Sequence, residues 1–537
     1  MMRKIQATVL LLATFALVPF LQASQAFNNA PARPATAAAQ LAREKSESQH
    51  ERAATDNAEG KVAKVLESAR NNEGALYALL RQMPKGGDLH NHITGAVYAE
   101  SWVRFAIDNN LCVDRTTLAL SQPPCLNAQL PVADARRDAA LYAAMIDNWS
   151  MRSIHRQNGP AHDHFFNTFG KFGAAAAGHM GEILAEVTAR AAEGNVEYLE
   201  LMTSPDEGAA LALGAKVGWD ADLEVLRHKL LDAGLPAIVA ASRKNMDAWE
   251  QRRNELQKCG ERAPGARRAG CEVDVRQIYT VLRAFPPEQV FAQLLLGFEL
   301  SAADGRVVGI NMVQPEDGPI AMDDYRLHMR MVGFLHEVYP KVHISLHAGE
   351  LAPGLVPPEG LRFHIREAVE KGHAQRIGHG VDVMYEDNPE ELLEEMAHND
   401  VLVEICLTSN EGILGVRGHA HPLASYLKGG VPVALATDDE GVSRSEMTRE
   451  YEKAVTEQGA DYATLKRMAR NSLEYSFLAG RSLWADRKHF VMARECEGHE
   501  SSQPCQKLLS ASDKAREQMR FEKALTEFEN KVAKDKE

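Results

Sequence analysis

Histidines and carboxylates recur at the ends of short apolar runs in this chain, and their spacing fits a metal site with acid–base groups beside it. His90 and His92 stand two apart in GDLHNHI, so on a strand both imidazoles project from one face. Such a pair becomes a ligand set when later strands bring more donors to the same rim. His347 in VHISLHAGE and Asp438 in VPVALATDDE do so. Three nitrogens and a carboxylate suit zinc, with one position open for water, whose pKa the ion lowers to about 7. Glu350 follows His347 by three residues and can reach substrate without binding metal, as a general acid would. His379 in QRIGHGVD would orient or deprotonate the water, and Asp439 would stabilise hydroxide or bind substrate. Taken singly, HAGE reads as a loop, His379 as a core histidine and the Asp438–Asp439 pair as a helix N-cap. Their convergence at strand ends is the argument for an enzyme.

Gathering these groups requires strands that end side by side. From residue 85 onward, β-branched runs alternate with longer helical stretches, the pattern of a parallel sheet. Eight runs qualify: 87–93, 196–204, 275–283, 306–314, 342–350, 375–382, 401–410 and 431–440. A ninth, LPAIVAAS at 235–242, opens with Pro236 and flows into a polar stretch at helical spacing, so it reads as a helix start. Eight strands separated by helices make an α/β fold, a TIM-type (β/α)8 barrel with its active site at the C-terminal strand ends. Strand interiors read as apolar, while His90, His92, His347, Glu350, His379, Asn410, Asp438 and Asp439 fall at the ends. The barrel is expected over 83–490, preceded by a helical extension at 61–82 and followed by a helical tail at 491–537. An insertion at 101–195, carrying Phe165, Phe166 and Phe169, would roof the pocket or make an oligomer contact. The tail, with Phe521, Leu525, Phe528 and Val532, reads as a helix docked outside the barrel.

The N-terminus carries Arg3 and Lys4, a 13-residue apolar run from Val9 to Leu21 that contains Pro19, and small residues at Ser24 and Ala26. This is the build of a cleavable signal peptide over 1–26, short of the roughly 20 residues a bilayer span needs. Residues 27–60 read as a flexible leader, and no later run is apolar enough to span a membrane. The expected location is secreted or periplasmic, with no membrane partner after cleavage. Cysteine usage agrees: Cys112 and Cys125, Cys259 and Cys271, and Cys496 and Cys505 form three pairs close in sequence, although six cysteines allow 15 pairings. Cys406, inside VLVEICL, reads as a buried free thiol, and without a CxxC pair no thiolate zinc site is indicated. The net charge of −14, or −16 once Arg3 and Lys4 are removed, argues against general binding to nucleic acid or anionic membranes.

The motifs MPKGGDLHNHITG (83–95), SLHAGE (345–350), RIGHG (376–380), EICLTSN (404–410), HPL (421–423), ATDDEGVSR (436–444) and NSLEYSFL (471–478) occur in this order. Together they resemble the adenosine deaminase family, especially its secreted branch, the adenosine-deaminase-related growth factors and their bacterial relatives. The resemblance implies a barrel with one Zn2+ per subunit that hydrolytically deaminates adenosine or 2′-deoxyadenosine to the inosine product and ammonia. It implies that His90, His92, His347 and Asp438 bind zinc, Glu350 protonates purine N1, His379 acts on the zinc water and Asp439 meets N7. Two positions depart from the family. Thr94, followed by Gly95, holds the place of an aspartate that meets the ribose. At the end of the fourth strand, NMVQPED puts Gln314 and Pro315 where a glycine is usual, with Glu316 retained. Thr94, Gln314 and Glu316 join Asp439 as the expected substrate-binding positions, and the secreted branch suggests a homodimer by analogy. Two alternatives stand beside this reading: deamination of another 6-aminopurine derivative, or a secreted signalling or binding protein on a deaminase scaffold. A protein that only binds has no need of Glu350.

Overall fold

Each of the eight runs forms a strand in the computed structural model, which describes residues 58–154, 160–261, 269–497 and 500–534. The signal peptide expected at 1–26 and nearly all of the expected leader lie outside the described residues. The strands are β1 (Gly86–His92), β2 (Val196–Thr203), β3 (Asp274–Leu282), β4 (Val307–Val313), β5 (His343–Ala348), β6 (Arg376–His379), β7 (Leu402–Ile405) and β8 (Val433–Leu435). They pair in parallel in that order. Beyond β8 the chain returns to β1: Asp438 N–H donates to His90 O (2.9 Å) and His92 N–H to Asp438 O (3.1 Å). Asp88 adds a side-chain clasp, accepting from the Thr437 hydroxyl at 2.5 Å. The result is a nearly closed TIM-type barrel.

Helices cover the outer face, so the strands are buried on both sides and read as near-continuous apolar runs. Helix Pro287–Ala303, almost wholly apolar along its middle, packs against β3 and β4. The interior is less apolar than the sequence reading held. Glu200, Asn311, Ser345, Arg376 and Glu404 lie within strands, and each is at most 1% exposed. Buried polar groups must be paired, and these pair with one another and with the site.

The last three strands are at most half as long as expected, the run 375–382 being strand only over Arg376–His379. The run 401–410 leaves β conformation at Ile405, and Leu407–Leu414 is a helix, so Asn410 is helical and not a strand end. Buried Glu450 accepts from Thr408 N–H (3.1 Å), one of the amides that a helix start leaves unpaired. The run 431–440 is strand only to Leu435, and Glu440–Ser443 is again helical.

Between β1 and β2 lie helix Ala99–Asp108, a small antiparallel sheet and helices that include Ala161–Phe172 and Met180–Glu193. LPAIVAAS starts the 23-residue helix Leu235–Gln257, with proline in its first turn. Helix Asp513–Lys534 buries Phe521, Leu525, Phe528 and Val532 and packs against helix Ala58–Ala69 and helix Tyr462–Glu474. The disulfides are Cys112–Cys125, Cys259–Cys271 and Cys496–Cys505, and Cys406 is a buried free thiol. Among the described residues no helix is long and apolar enough to cross a membrane.

Candidate active site

β1, β5 and the segment after β8 bring four side chains to one point. His347 Nε2 lies 3.2 Å from both His90 Nε2 and His92 Nε2. Asp438 Oδ1 lies 3.2 Å from His92 Nε2 and 3.5 Å from His90 Nε2. The outer partners decide which nitrogens carry protons. Asn311 Oδ1 accepts from the His347 backbone N–H (3.0 Å), which identifies it as the oxygen, and also from His347 Nδ1–H (2.8 Å). His90 Nδ1–H donates to the Glu404 carboxylate at 2.7 Å. Each ring therefore keeps its Nδ1 proton on an outer partner and faces the other with Nε2, beside a carboxylate oxygen. Burial lowers His90, but the Asp438 and Glu404 carboxylates outweigh this and raise it to about 10, so this focus favours positive charge; these residues fit a divalent metal, and three imidazoles with one carboxylate suit zinc. Ser409 donates to the free Asp438 oxygen at 2.6 Å.

Around this centre stand three further groups. Glu350, at the turn after β5, has its carboxyl 3.7 Å from His379 Nε2. Burial foremost, then the Asp438 and Glu316 carboxylates, pushes it well above the usual carboxylate range, so it holds a proton to give. The state of His379 follows from its neighbours. Leu423 N–H donates to His421 Nδ1 (3.2 Å), so His421 Nε2–H donates to Asn410 Oδ1 (3.0 Å). The Asn410 amide nitrogen then donates to His379 Nδ1 (2.9 Å). His379 turns Nε2–H toward Glu350 and finds no hydrogen-bond partner in the protein. Burial lowers its pKa to about 3, and the ring is a neutral donor. Of the two roles read from sequence, orienting a water fits this tautomer and deprotonating it does not. Asp439 Oδ1 is buried without a partner, and a Cβ at residue 95 would lie 1.4 Å from it, so Gly95 is what makes room for that carboxyl. Likewise a Cβ at Gly378 would lie 2.5 Å from the His90 ring.

Three non-glycine residues take left-handed backbone here: Gln314 (φ 86°), His379 (φ 69°) and Asp438 (φ 57°). Such conformations cost roughly 1–3 kcal/mol each and gather at functional sites. Gln314 thus adopts a backbone that favours glycine, while its side-chain oxygen accepts from Ala284 N–H (2.9 Å).

A cavity of about 1020 Å3 opens above the centre. His92, His347, Glu350, Asp438, Asp439, Thr94 and Gln314 line it, while His90 and His379, both fully buried, do not. Glu316 does not line it, which corrects its assignment to substrate binding. It is 1% exposed, and its oxygens accept from His364 Nδ1–H (2.6 Å), Gly349 N–H (3.0 Å) and Glu350 N–H (2.8 Å). It holds the turn that carries Glu350. The sequence reading gave no role to Asn311, Arg376, Glu404, Ser409 or His421. For Asn311 and Glu404 a signal exists: a polar residue interrupts the apolar runs VVGINMV and VLVEICL.

The sequence pattern of the family described as Adenosine deaminase matches residues 179–483, more than half of the chain. The adenosine deaminase of Shewanella loihica is 34% identical over 137 residues, 25% of this chain and 38% of that protein. The adenosine deaminase of Escherichia coli is 36% identical over 138 residues, 26% and 38% of the two chains. The alignments thus span about two-fifths of these relatives' length. Among solved structures, Arabidopsis ADAL complexed with IMP superposes with a TM-score of 0.52 at 18% identity, covering 84% of this chain and 99% of the other. An amidohydrolase from Burkhoderia ambifaria with bound Zn gives 0.50 at 16% identity, covering 84% and 94%. These likenesses bear on the fold. The chain belongs to the adenosine deaminase family.

Proposed function

We propose that this protein is a zinc-dependent aminohydrolase that converts adenosine or 2′-deoxyadenosine to the inosine product and ammonia, outside the cytoplasm. The observation that carries the reading is the meeting of three imidazole nitrogens and Asp438 with a proton-bearing Glu350 at one cavity floor. Bound zinc supplies a water that is nucleophilic near neutral pH. Glu350 gives its proton to purine N1 and makes C6 electrophilic. His379 donates from Nε2 and fixes the attacking water's orientation on the same face. Asp439, raised well above the carboxylate range by burial and then by Asp438 and Glu350, is protonated and donates to N7.

The cavity also bears on nucleoside against nucleotide. Arg252 is the cationic chain among its lining residues, and it is paired with Glu182 (2.8 Å) and Glu255 (3.7 Å). Glu207 adds a negative charge to the lining. A phosphate would find no unpaired cation there, which favours an uncharged substrate. Three disulfides support an oxidising compartment and so the expected export. The test follows absorbance as metal-loaded protein is given adenosine, 2′-deoxyadenosine, adenine and AMP. Turnover of the nucleosides above the other two is expected, and no turnover of any would overturn the proposal.

A further inference from the structure

We infer that His364 is a positioning residue for the deamination, holding through Glu316 the peptide that carries Glu350; this rests on the proposed function. Glu350 can deliver a proton to one ring atom only if the turn after β5 keeps a single place. That turn has little to hold it by itself. Gly349 is left-handed (φ 74°), and a Cβ there would lie 2.4 Å from Asp382 Oδ1 and 2.7 Å from Ile365 Cδ1. Glycine is therefore required, and its backbone is the one that costs most to order.

Restraint comes from both sides of the turn. Gly349 O accepts from Val381 N–H (2.8 Å) and Asp382 N–H (3.3 Å), just after β6. On the other side Glu316 takes both amides, Gly349 N–H on Oε1 (3.0 Å) and Glu350 N–H on Oε2 (2.8 Å). A carboxylate that bridges two consecutive amides fixes them only if it is fixed itself, and Glu316 lies in the loop after β4, not in a strand. Its third donor is His364 Nδ1–H at 2.6 Å, the shortest of the three bonds. Burial works against a charge on Glu316, but the His364 bond, Arg283 and the Gly349 amide outweigh it and hold the carboxyl at about 2. It is an acceptor for all three donors near neutral pH.

His364 is well anchored for this task. It is fully buried, its ring stacks on Tyr325 (centroids 3.8 Å, 8°), and the Tyr325 hydroxyl donates to its carbonyl at 2.7 Å. The next residue, Ile365, donates its N–H to buried Glu386 at 2.6 Å. His364 does not line the cavity, and its Nε2 meets no protein group, so Glu316 is the one polar contact of the ring. A histidine placed this way acts on the reaction through Glu316 and the turn.

The test compares His364→Leu, which removes the donor at similar size, with His364→Asn, whose side-chain N–H stands near the place of Nδ1. Tyr325→Phe is the control, since it takes the hydroxyl from the His364 carbonyl and leaves the Nδ1 bond. Hydrogen exchange at the Gly349 and Glu350 amides reads the turn without turnover, and kcat, KM and zinc content are measured beside it. His364→Leu should speed exchange at both amides and lower kcat by up to about 10²-fold, with KM and zinc content within about twofold of wild type. His364→Asn should recover most of both losses, and Tyr325→Phe should lower only the unfolding midpoint. Glu316→Gln should cost about as much as His364→Leu, and the double variant no more than either. Wild-type exchange and kcat in His364→Leu overturn the inference, as do additive losses or an equal loss of kcat in Tyr325→Phe. Should His364→Leu fail to fold, Glu316→Gln makes the same comparison, and unchanged exchange and kcat there overturn it. An inactive wild type whose turn still loosens in His364→Leu removes the deaminase reading and leaves the support of the turn. An active wild type with an indifferent His364→Leu removes this inference alone.

Discussion

Glu404→Gln tests the proton logic of the metal site with one atom changed. Glu404 is fully buried: His90 Nδ1–H at 2.7 Å and Ser345 Oγ–H at 3.1 Å donate to it, and Arg376 Nε lies 2.7 Å away as its ion-pair partner. A carboxylate suits all three, whereas glutamine replaces one oxygen with a donor. Arg376 is always charged and is also bound to Glu200 at 2.6 Å, so the amide oxygen must stay on its side. The new NH2 then faces His90. To avoid a clash of donors the ring must accept at Nδ1 and move its proton to Nε2, which is the nitrogen offered to the metal. Loss of such an outer partner costs 10- to 100-fold in metal affinity, about 1.4–2.7 kcal/mol at 1.36 kcal/mol per decade. Ser409→Ala is the companion variant, because it removes a hydroxyl donor from the Asp438 carboxylate, worth about 1.5–3 kcal/mol, without moving a proton onto a ligand nitrogen. Competition with a chromophoric chelator measures both zinc dissociation constants. An affinity within twofold of wild type for Glu404→Gln refutes the reasoning.

Three further outcomes are expected. Glu350→Gln leaves the four ligands intact, so metal content measured by atomic emission stays at the wild-type level while turnover falls by about 10²–10⁴; Asp438→Ala loses both together. Reduction of the disulfides, which link residues 9 to 13 positions apart and contribute on the order of 2–3 kcal/mol each, lowers the unfolding midpoint by several degrees in calorimetry. An unchanged midpoint under full reduction contradicts that contribution. Burial lowers the His162 imidazolium, but the carboxylates of Asp317 and Asp163 outweigh this and raise it. A raised folded value means the contact contributes fully below the ordinary histidine value of about 6.5 and is lost as pH rises through the folded value. Hydrogen-exchange protection in helix Ala161–Phe172 should therefore fall as pH rises from below about 6.5 through the raised folded value, and Asp317→Asn should remove that dependence.

The barrel was legible because the rule that builds it is local. A strand buried on both faces must be apolar, and each strand end lies next in sequence to the side chain it delivers, so His90, His92, His347 and Asp438 could be placed by position alone. What could not be read is pairing across the barrel. Glu404 and His90 are 314 residues apart, Arg376 and Glu200 are 176 apart, and a sequence pattern reports a face and not a partner. Asn410 was misjudged for a related reason. The apolar run VLVEICL continues past the last β residue, while the groups that end the strand, Glu450 on Thr408 and the His421 amide relay, come from elsewhere. Glu316 shows the converse error, since a carboxylate close to the cleft in sequence turned its oxygens to backbone amides behind it.

The polar residues that interrupt these strands share one physical cause. Asn311 and Glu404 each sit in an apolar run, and each has its acceptor oxygen on the Nδ1–H of a different candidate ligand, His347 or His90. Burying them is costly unless every polar atom is paired, and the pairing holds only with the proton on Nδ1. The barrel interior thereby fixes which nitrogen, Nε2, each of these rings turns to the site. Arg376 extends this downward, because its charge keeps Glu404 ionised, and Glu200 in turn neutralises Arg376. In this barrel a charge inside an apolar strand is a support of the site above it.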